Sequence, residues 1–422
     1  MLSRRRLARL SLLAASIAVF SSCAPARSLS SAAPSPAAPE LADLELVESV
    51  PVETTLDHPD VPNASDVWVA MIDRARTSLE FAEFYASEAD GDAAATSALA
   101  PVLAALERAT ARGVQTRFLA DAAFASKYPA TLERLSRAKV DVRKFDMKPR
   151  AGGVLHAKYF VVDGVDAFLG SQNFDWRALS HIFEMGVRIR SVQVSSALLD
   201  IFETDWALAG GGPSEVRMRR HPSAFGVLAK TGERFDLVAS PSGWLPDETS
   251  WDLPRIVELI GQARTSLSVQ VLTYKTSSRD GAPFPALDDA LRQAAGRGVR
   301  VRLMVSEWGS KPGSDGRTAI DDLSHVPGID VRVIMIPAWS GGEVPFARVA
   351  HAKYAIADAA TAFSRAWVGT SNWEGDYFLR SRNVGVIASG GRMPFQLQGV
   401  FDQIWGSDYA KPLASLPAAS KP

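Results

Sequence analysis

The residues of this chain best suited to chemistry occur twice in one arrangement. The first copy reads His156-Ala157-Lys158-Tyr159-Phe160-Val161-Val162-Asp163 and is followed by Gly170-Ser171-Gln172-Asn173. The second reads His351-Ala352-Lys353-Tyr354-Ala355-Ile356-Ala357-Asp358, followed by Gly369-Thr370-Ser371-Asn372. The apolar run after each His-x-Lys has β propensity, so both octets are predicted as short strands with side chains alternating between faces. His and Lys then share a face. Asp163 and Asp358 fall on the opposite one and are assigned to scaffolding. One His-x-Lys is an ordinary strand surface; two copies in a chain with 6 histidines, each trailed by Gly-Ser/Thr-x-Asn, point to a built site. The small residues suit a close backbone approach, and the Asn supplies an uncharged donor.

This set of side chains matches what a phosphodiester requires: an attacking group, a proton for the leaving oxygen, and positive charge on the non-bridging oxygens. One neutral histidine can attack phosphorus while the other, protonated, supplies the proton. Lys158, Lys353, Asn173 and Asn372, with Ser171, are then the phosphate-binding residues. No carboxylate or His/Cys cluster has metal-ligand spacing, so no metal or other cofactor is expected. Glu184-Met185-Gly186 corresponds to Asn383-Val384-Gly385 in the second copy. Glu184 and Asn383 are therefore candidates to orient the rings, with Glu184 expected on His156. That pairing suits a nucleophile or an acid equally.

The elements that must position these residues repeat as well. Val67 to Ile72 reads as a helix behind a Ser65 or Asp66 cap, and Ala75-Arg76-Thr77-Ser78-Leu79 enters a strand. Ala94 to Arg112 reads as a helix stopped at Gly113, and Val114 to Ala120 as a strand. A short helix over Thr131 to Ala138 and a strand over Val140 to Phe145 follow. Ala263-Arg264-Thr265-Ser266-Leu267 and Val299-Arg300-Val301-Arg302-Leu303 restart the same order, and Ile201-Phe202 with Trp206 corresponds to Val400-Phe401 with Trp405. The fold class is α/β: two homologous halves, each a mixed β-sheet flanked by helices, related by a pseudo-twofold axis with one site between them.

The paired His-x-Lys-x4-Asp with Gly-Ser/Thr-x-Asn resembles the phospholipase D superfamily. Gly170 to Arg177, Val344-Pro345-Phe346-Ala347-Arg348-Val349 and Gly369-Thr370-Ser371-Asn372-Trp373 resemble the branch of animal endolysosomal phospholipase D-like 5′ exonucleases and a poxvirus envelope phospholipase. The resemblance covers roughly Leu46 to Asp408. It implies two α/β domains and metal-free catalysis through a phosphohistidine on the first-half histidine, His156. The chain departs from the animal members in lacking their cysteines and in its N-terminus.

That N-terminus holds Arg4, Arg5, Arg6 and Arg9, no acids, then an apolar run from Leu10 to Phe20 and Ser21-Ser22-Cys23. Residues 1–22 read as an export signal, with a stretch resembling a twin-arginine signal, and Cys23, the single cysteine, as a lipidation site. Loss of those arginines takes the net charge from -1 to -5, which argues against a broad duplex-coating surface. Residues 23–44 read as a disordered tether, 45–210 as the first domain, 211–250 as a connector, 251–410 as the second domain and 411–422 as a disordered tail. The expected setting is a bacterial cell envelope, periplasmic or outer-membrane. The expected partners are the substrate, a membrane reached through the N-terminal lipid, and a second copy of the chain in a homodimer. Two substrates stay open. Acidic net charge favours a phospholipid, while Arg143, Lys144, Lys148 and Arg150 ahead of His156 favour single-stranded nucleic acid. The rival class is a non-catalytic lipid-binding envelope protein, against which both motifs being complete argues. His58, His181, His221 and His325 read as surface residues, and Trp176, Trp308, Trp339 and Trp373 as packing.

Overall fold

In the computed structural model, residues 41–91, 93–212 and 218–417 are described, and they belong to one compact unit. The signal, Cys23 and nearly all of the tether lie outside them. The first half is a 7-stranded sheet ordered Asp43–Ser49, Glu184–Arg190, Asp166–Gly170, Lys158–Val162, Ser78–Glu83, Gln115–Asp121, Asp141–Phe145. Ser78–Glu83, Gln115–Asp121 and Asp141–Phe145 run parallel, and the other neighbours antiparallel. The second half repeats this order with Arg234–Ser240, Asn383–Ser389, Arg365–Gly369, Tyr354–Ala357, Ser266–Val271, Arg300–Ser306 and Ile329–Ile334, within a sheet of 9 strands.

Alternation along the strands divides the apolar residues between two layers. Leu79, Phe81, Phe118, Phe160 and Val162 face outward under the helices Ala64–Arg74 and Ala100–Ala111. Ala157, Tyr159 and Val161 face inward and join Ala352, Tyr354 and Ile356 of the other half in one core, which also takes Phe202 and Phe401 from the helices Val192–Ala209 and Met393–Gly406. Because this inner core is shared, the halves cannot slide without exposing it. Phe202 stacks on Trp206 at 5.4 Å and Phe401 on Trp405 at 5.5 Å, and each pair carries two guanidiniums, Arg117 with Arg143 and Arg302 with Arg332.

Several boundaries differ from expectation. Arg234–Ser240 lies within 211–250 yet is a full strand, pairing antiparallel with Asn383–Ser389 as Asp43–Ser49 pairs with Glu184–Arg190. The second half therefore starts inside the expected connector. Leu46-Val47 with Ser49, matched by Leu237-Val238 with Ser240, is the signal that marks it. In that stretch Arg219 pairs with Asp247, and the Arg220 and His221 backbones donate to Asp200. In the expected tail, Ala410–Pro412 pairs with the edge strand Ile329–Ile334, and Leu413 is buried. In the expected tether, Ala42 is buried and the first strand begins at Asp43. The helix expected over 94–112 is split into Ala93–Thr96 and Ala100–Ala111, because Pro101 suits only a first turn.

Asp163 and Asp358 end their strands with positive φ, 53° at each. Each carboxylate gathers one loop: Asp163 accepts from the backbone N–H of Arg76, Thr77 and Ser78 and from the Thr77 hydroxyl. Asp358 does the same for Arg264, Thr265 and Ser266. The repeated Ala-Arg-Thr-Ser-Leu is thus the partner of the repeated aspartate.

Candidate active site

The two histidines stand just before the strands Lys158–Val162 and Tyr354–Ala357, where one half hands its backbone to the other. The His156 N–H donates to the Arg382 carbonyl at 2.9 Å, and the His351 N–H to the Phe183 carbonyl at 2.8 Å. Residue 382 leads directly into Asn383, and residue 183 into Glu184. Each ring therefore meets the orienting side chain of the opposite half. His156 Nδ1 lies 2.9 Å from Asn383 Oδ1. His351 Nδ1 lies 2.8 and 2.9 Å from the Glu184 oxygens. The expectation that Glu184 orients His156 is thus corrected: the contacts cross between the halves.

The crossing sets the protons. Asn383 Nδ2 donates to the Tyr377 and Ser381 carbonyls, and its Oδ1 also accepts from Thr370. With the amide held this way, Oδ1 faces His156, so Nδ1 of that ring carries the proton and Nε2 holds a lone pair. Glu184 can instead hold an imidazolium at His351. Lys158 Nζ donates to the His156 carbonyl at 2.5 Å, and Lys353 Nζ makes the same bond to the His351 carbonyl. Both lysines are fully buried.

Burial pushes both imidazoles well below the ordinary histidine range, and the two lysines add to it. Burial likewise lifts Glu184 to about 8 and brings Lys158 down to about 7. The Glu184–His351 pair therefore keeps one shared proton at neutral pH, while His156 stays neutral well into acid. Among the described residues no group of three His, Cys, Asp or Glu side chains is arranged to hold a metal ion.

The family described as "Cardiolipin synthase, PLD-like domain" matches residues 68–206 and again 256–405. The chain belongs to the phospholipase D-like family. It is similar to the 5'-3' exonuclease PLD3 of Bos taurus, 31% identical over 399 residues that cover 87% of this chain and 80% of that protein. It is also similar to phospholipase D Z of Dictyostelium discoideum, 29% identical over 397 residues, covering 88% and 91%. The fold matches that of phosphatidylserine synthase from Haemophilus influenzae, with a TM-score of 0.59 at 12% identity over 84% of this chain and 86% of that one. This protein is a phospholipase D-like phosphodiesterase.

Other residues of this phospholipase D-like site are placed as follows. Asn173 and Asn372 are buried, and neither Oδ1 has a partner within the protein. Ser171 is not directed at a substrate: its hydroxyl donates to the Met185 carbonyl and accepts from the Met185 N–H, stitching the turn to the next strand. Gly170 is needed there, since a Cβ would come within 2.3 Å of Gln172 Oε1 and 2.7 Å of the Gly186 Cα. Arg143 and Arg150, expected near a substrate strand, instead donate to the carbonyls of Trp206 and Leu208 at the end of a helix. His58 and His181 are buried rather than on the surface; His58 bonds Glu48, and His181 lies between Trp176 and Trp339. Trp373 is core, and Trp176, Trp308 and Trp339 pack around Ile182 and Val349.

Sequence reasoning misses the aromatic wall beside His156. Phe84 and Tyr377 lie 4.9 and 4.7 Å from its ring, Phe124 lies 4.0 Å from Phe84, and Tyr85 stacks on Tyr128 at 5.1 Å. Phe84-Tyr85 directly after the strand is the available signal; it reads as strand continuation. Arg382 is missed too. It is fully buried and bidentate on Asp205 at 2.8 Å, and it donates to the Ser240 and Trp244 carbonyls, locking the backbone that receives His156.

Proposed function

We propose that this protein hydrolyses single-stranded nucleic acid through a phosphohistidine on His156. The observation that carries the mechanism is the crossed pair of ring contacts, with an amide oxygen on one histidine and a carboxylate on the other. His156 Nε2 attacks phosphorus, the P–O bond to the leaving group breaks, and the proton on His351 Nε2 goes to the departing oxygen. His351 then takes a proton from water, the hydroxide attacks phosphorus, and the P–N bond breaks to free His156. Lys158 and Lys353, with Asn173 and Asn372, hold the non-bridging oxygens.

The substrate assignment rests on the wall of half-buried rings leading away from His156. Phe84, Tyr85, Phe124, Tyr128 and Tyr377 offer π faces, with the exposed Lys127 4.4 Å over Phe124. Such rings with a cation beside them suit stacked bases and their phosphates. A relative named as a 5'-3' exonuclease supports the same reading. Phospholipid is the second reading, favoured by Phe346, 70% exposed on the segment that leads into His351. The deciding experiment offers purified protein a labelled single-stranded oligonucleotide and phosphatidylcholine vesicles in parallel. Shortening of the oligonucleotide with intact lipid is expected. Headgroup release without cleavage of the oligonucleotide would overturn the assignment.

A further inference from the structure

Glu83 closes the strand Ser78–Glu83 and sits directly opposite Lys158 in the antiparallel ladder. Directly paired residues project from the same face as neighbours, so the carboxyl and the ammonium stem rise side by side. Glu83 is 1% exposed, and its Oε2 has no hydrogen-bond partner within the protein. A buried carboxyl oxygen without a partner is costly.

The second half has no counterpart. Val271 stands at the equivalent place, one residue after Gln270, which faces Tyr354 in the matching ladder. The two lysines are therefore inequivalent. Both feel Glu184, but only Lys158 has a carboxyl beside it on its own sheet. The other groups around Lys158 are Asp121, at the end of the strand beyond Ser78–Glu83, His156 of its own half, His351 and Lys353 across the interface, and the face of Phe84 at 4.9 Å.

We propose that Glu83 is a positioning residue that keeps Lys158 an ammonium at the phosphate site, making it the stronger of the two cations. Burial lowers both lysines. Lys158 reaches only about 7, and Glu83 is the first of the charges that hold it up. Lys353, with Glu184 alone to support it, falls well below the ordinary lysine range. The same burial raises Glu83 well above the usual carboxyl range, and Lys158 draws it back. A carboxylate at Glu83 favours the proton on Lys158; its removal must let that proton leave at lower pH.

This inference rests on the reading that the lysines hold phosphate. The test is calorimetric binding of dimethyl phosphate, a monoanion across the whole range, to wild type, Glu83→Gln and Glu83→Val between pH 5.5 and 8.5, with kcat/KM on bis(p-nitrophenyl) phosphate over the same range. Glu83→Val copies the second half's residue and Glu83→Gln keeps the side chain's size, so a loss of stability in one variant leaves the other to read the midpoint. Wild-type affinity should fall as pH rises through about 7, following the Lys158 ammonium. In both variants that midpoint should move down by about one unit, giving roughly tenfold weaker binding on the alkaline side and unchanged binding at the acid end. Variants that keep the wild-type midpoint, or that lose affinity equally at every pH, would overturn the role of Glu83. Wild type that binds no dimethyl phosphate at any pH would overturn the phosphate site itself.

Discussion

At the scale of single residues, each imidazole is committed by the atom that meets its Nδ1. In the proposed mechanism Asn383 accepts from His156 and leaves Nε2 free to attack, whereas Glu184 backs His351 as a proton donor. Because Glu184 acts through His351, Glu184→Gln should slow esters with poor leaving groups by about 10²-fold or more, and p-nitrophenyl esters far less. Equal losses on both ester types would contradict that role. The pH dependence follows from the same contacts. His156 must be neutral, and its lowered pKa keeps it so well below 6.5. The Lys158 ammonium is lost as pH rises through about 7, and the shared proton of the Glu184–His351 pair as it rises through about 8. The plot of kcat/KM against pH should therefore peak below neutrality and fall on the alkaline side between about 7 and 8. A maximum above pH 8 would contradict it.

At the scale of elements, Asp163 and Asp358 tie the strands Lys158–Val162 and Tyr354–Ala357 to the loop that opens the neighbouring strand. Removing either leaves three backbone N–H groups and a threonine hydroxyl without that acceptor, and puts alanine at a φ of 53°. Asp163→Ala should cost about 2 kcal/mol of stability in chemical unfolding, while turnover per folded molecule stays near wild type. Loss of turnover in a protein of normal stability would place that aspartate in the chemistry instead. These elements are legible in the sequence because they are repeated: His156 with Lys158, Asp163 with Ala75 to Leu79, and Phe202 with Trp206 each return in the second half. What the repeat hides is equally physical. Aligning the halves tells which residues correspond, and not that Glu184 and Asn383 each reach across to the other half's ring. Glu83 and Arg382 break the repeat, standing where the second and first halves have Val271 and Phe183, so no second copy draws attention to them.

At the scale of the molecule, the two halves form one site because their inner faces share a core and exchange backbone at His156 and His351. The Arg382–Asp205 pair is the polar element of that junction, with both side chains fully buried. Arg382→Met alone should destabilise the protein by about 3–5 kcal/mol, since it leaves the Asp205 carboxylate buried without its cation. Adding Asp205→Leu should recover much of that loss. Additive losses in the double variant, read from thermal or chemical unfolding, would show that the two side chains act independently. The central claim is that this joint site splits its work unequally, with the covalent step on His156 and proton donation from His351. The most direct measurement is a rapid acid-free quench of the enzyme turning over a phosphodiester, followed by mass spectrometric mapping of the phosphorylated residue. His351→Ala with a p-nitrophenyl ester would lengthen the life of the adduct. The account predicts a phosphoryl group on His156 in both proteins, and none in His156→Asn. An adduct on His351 in the wild-type enzyme would contradict it.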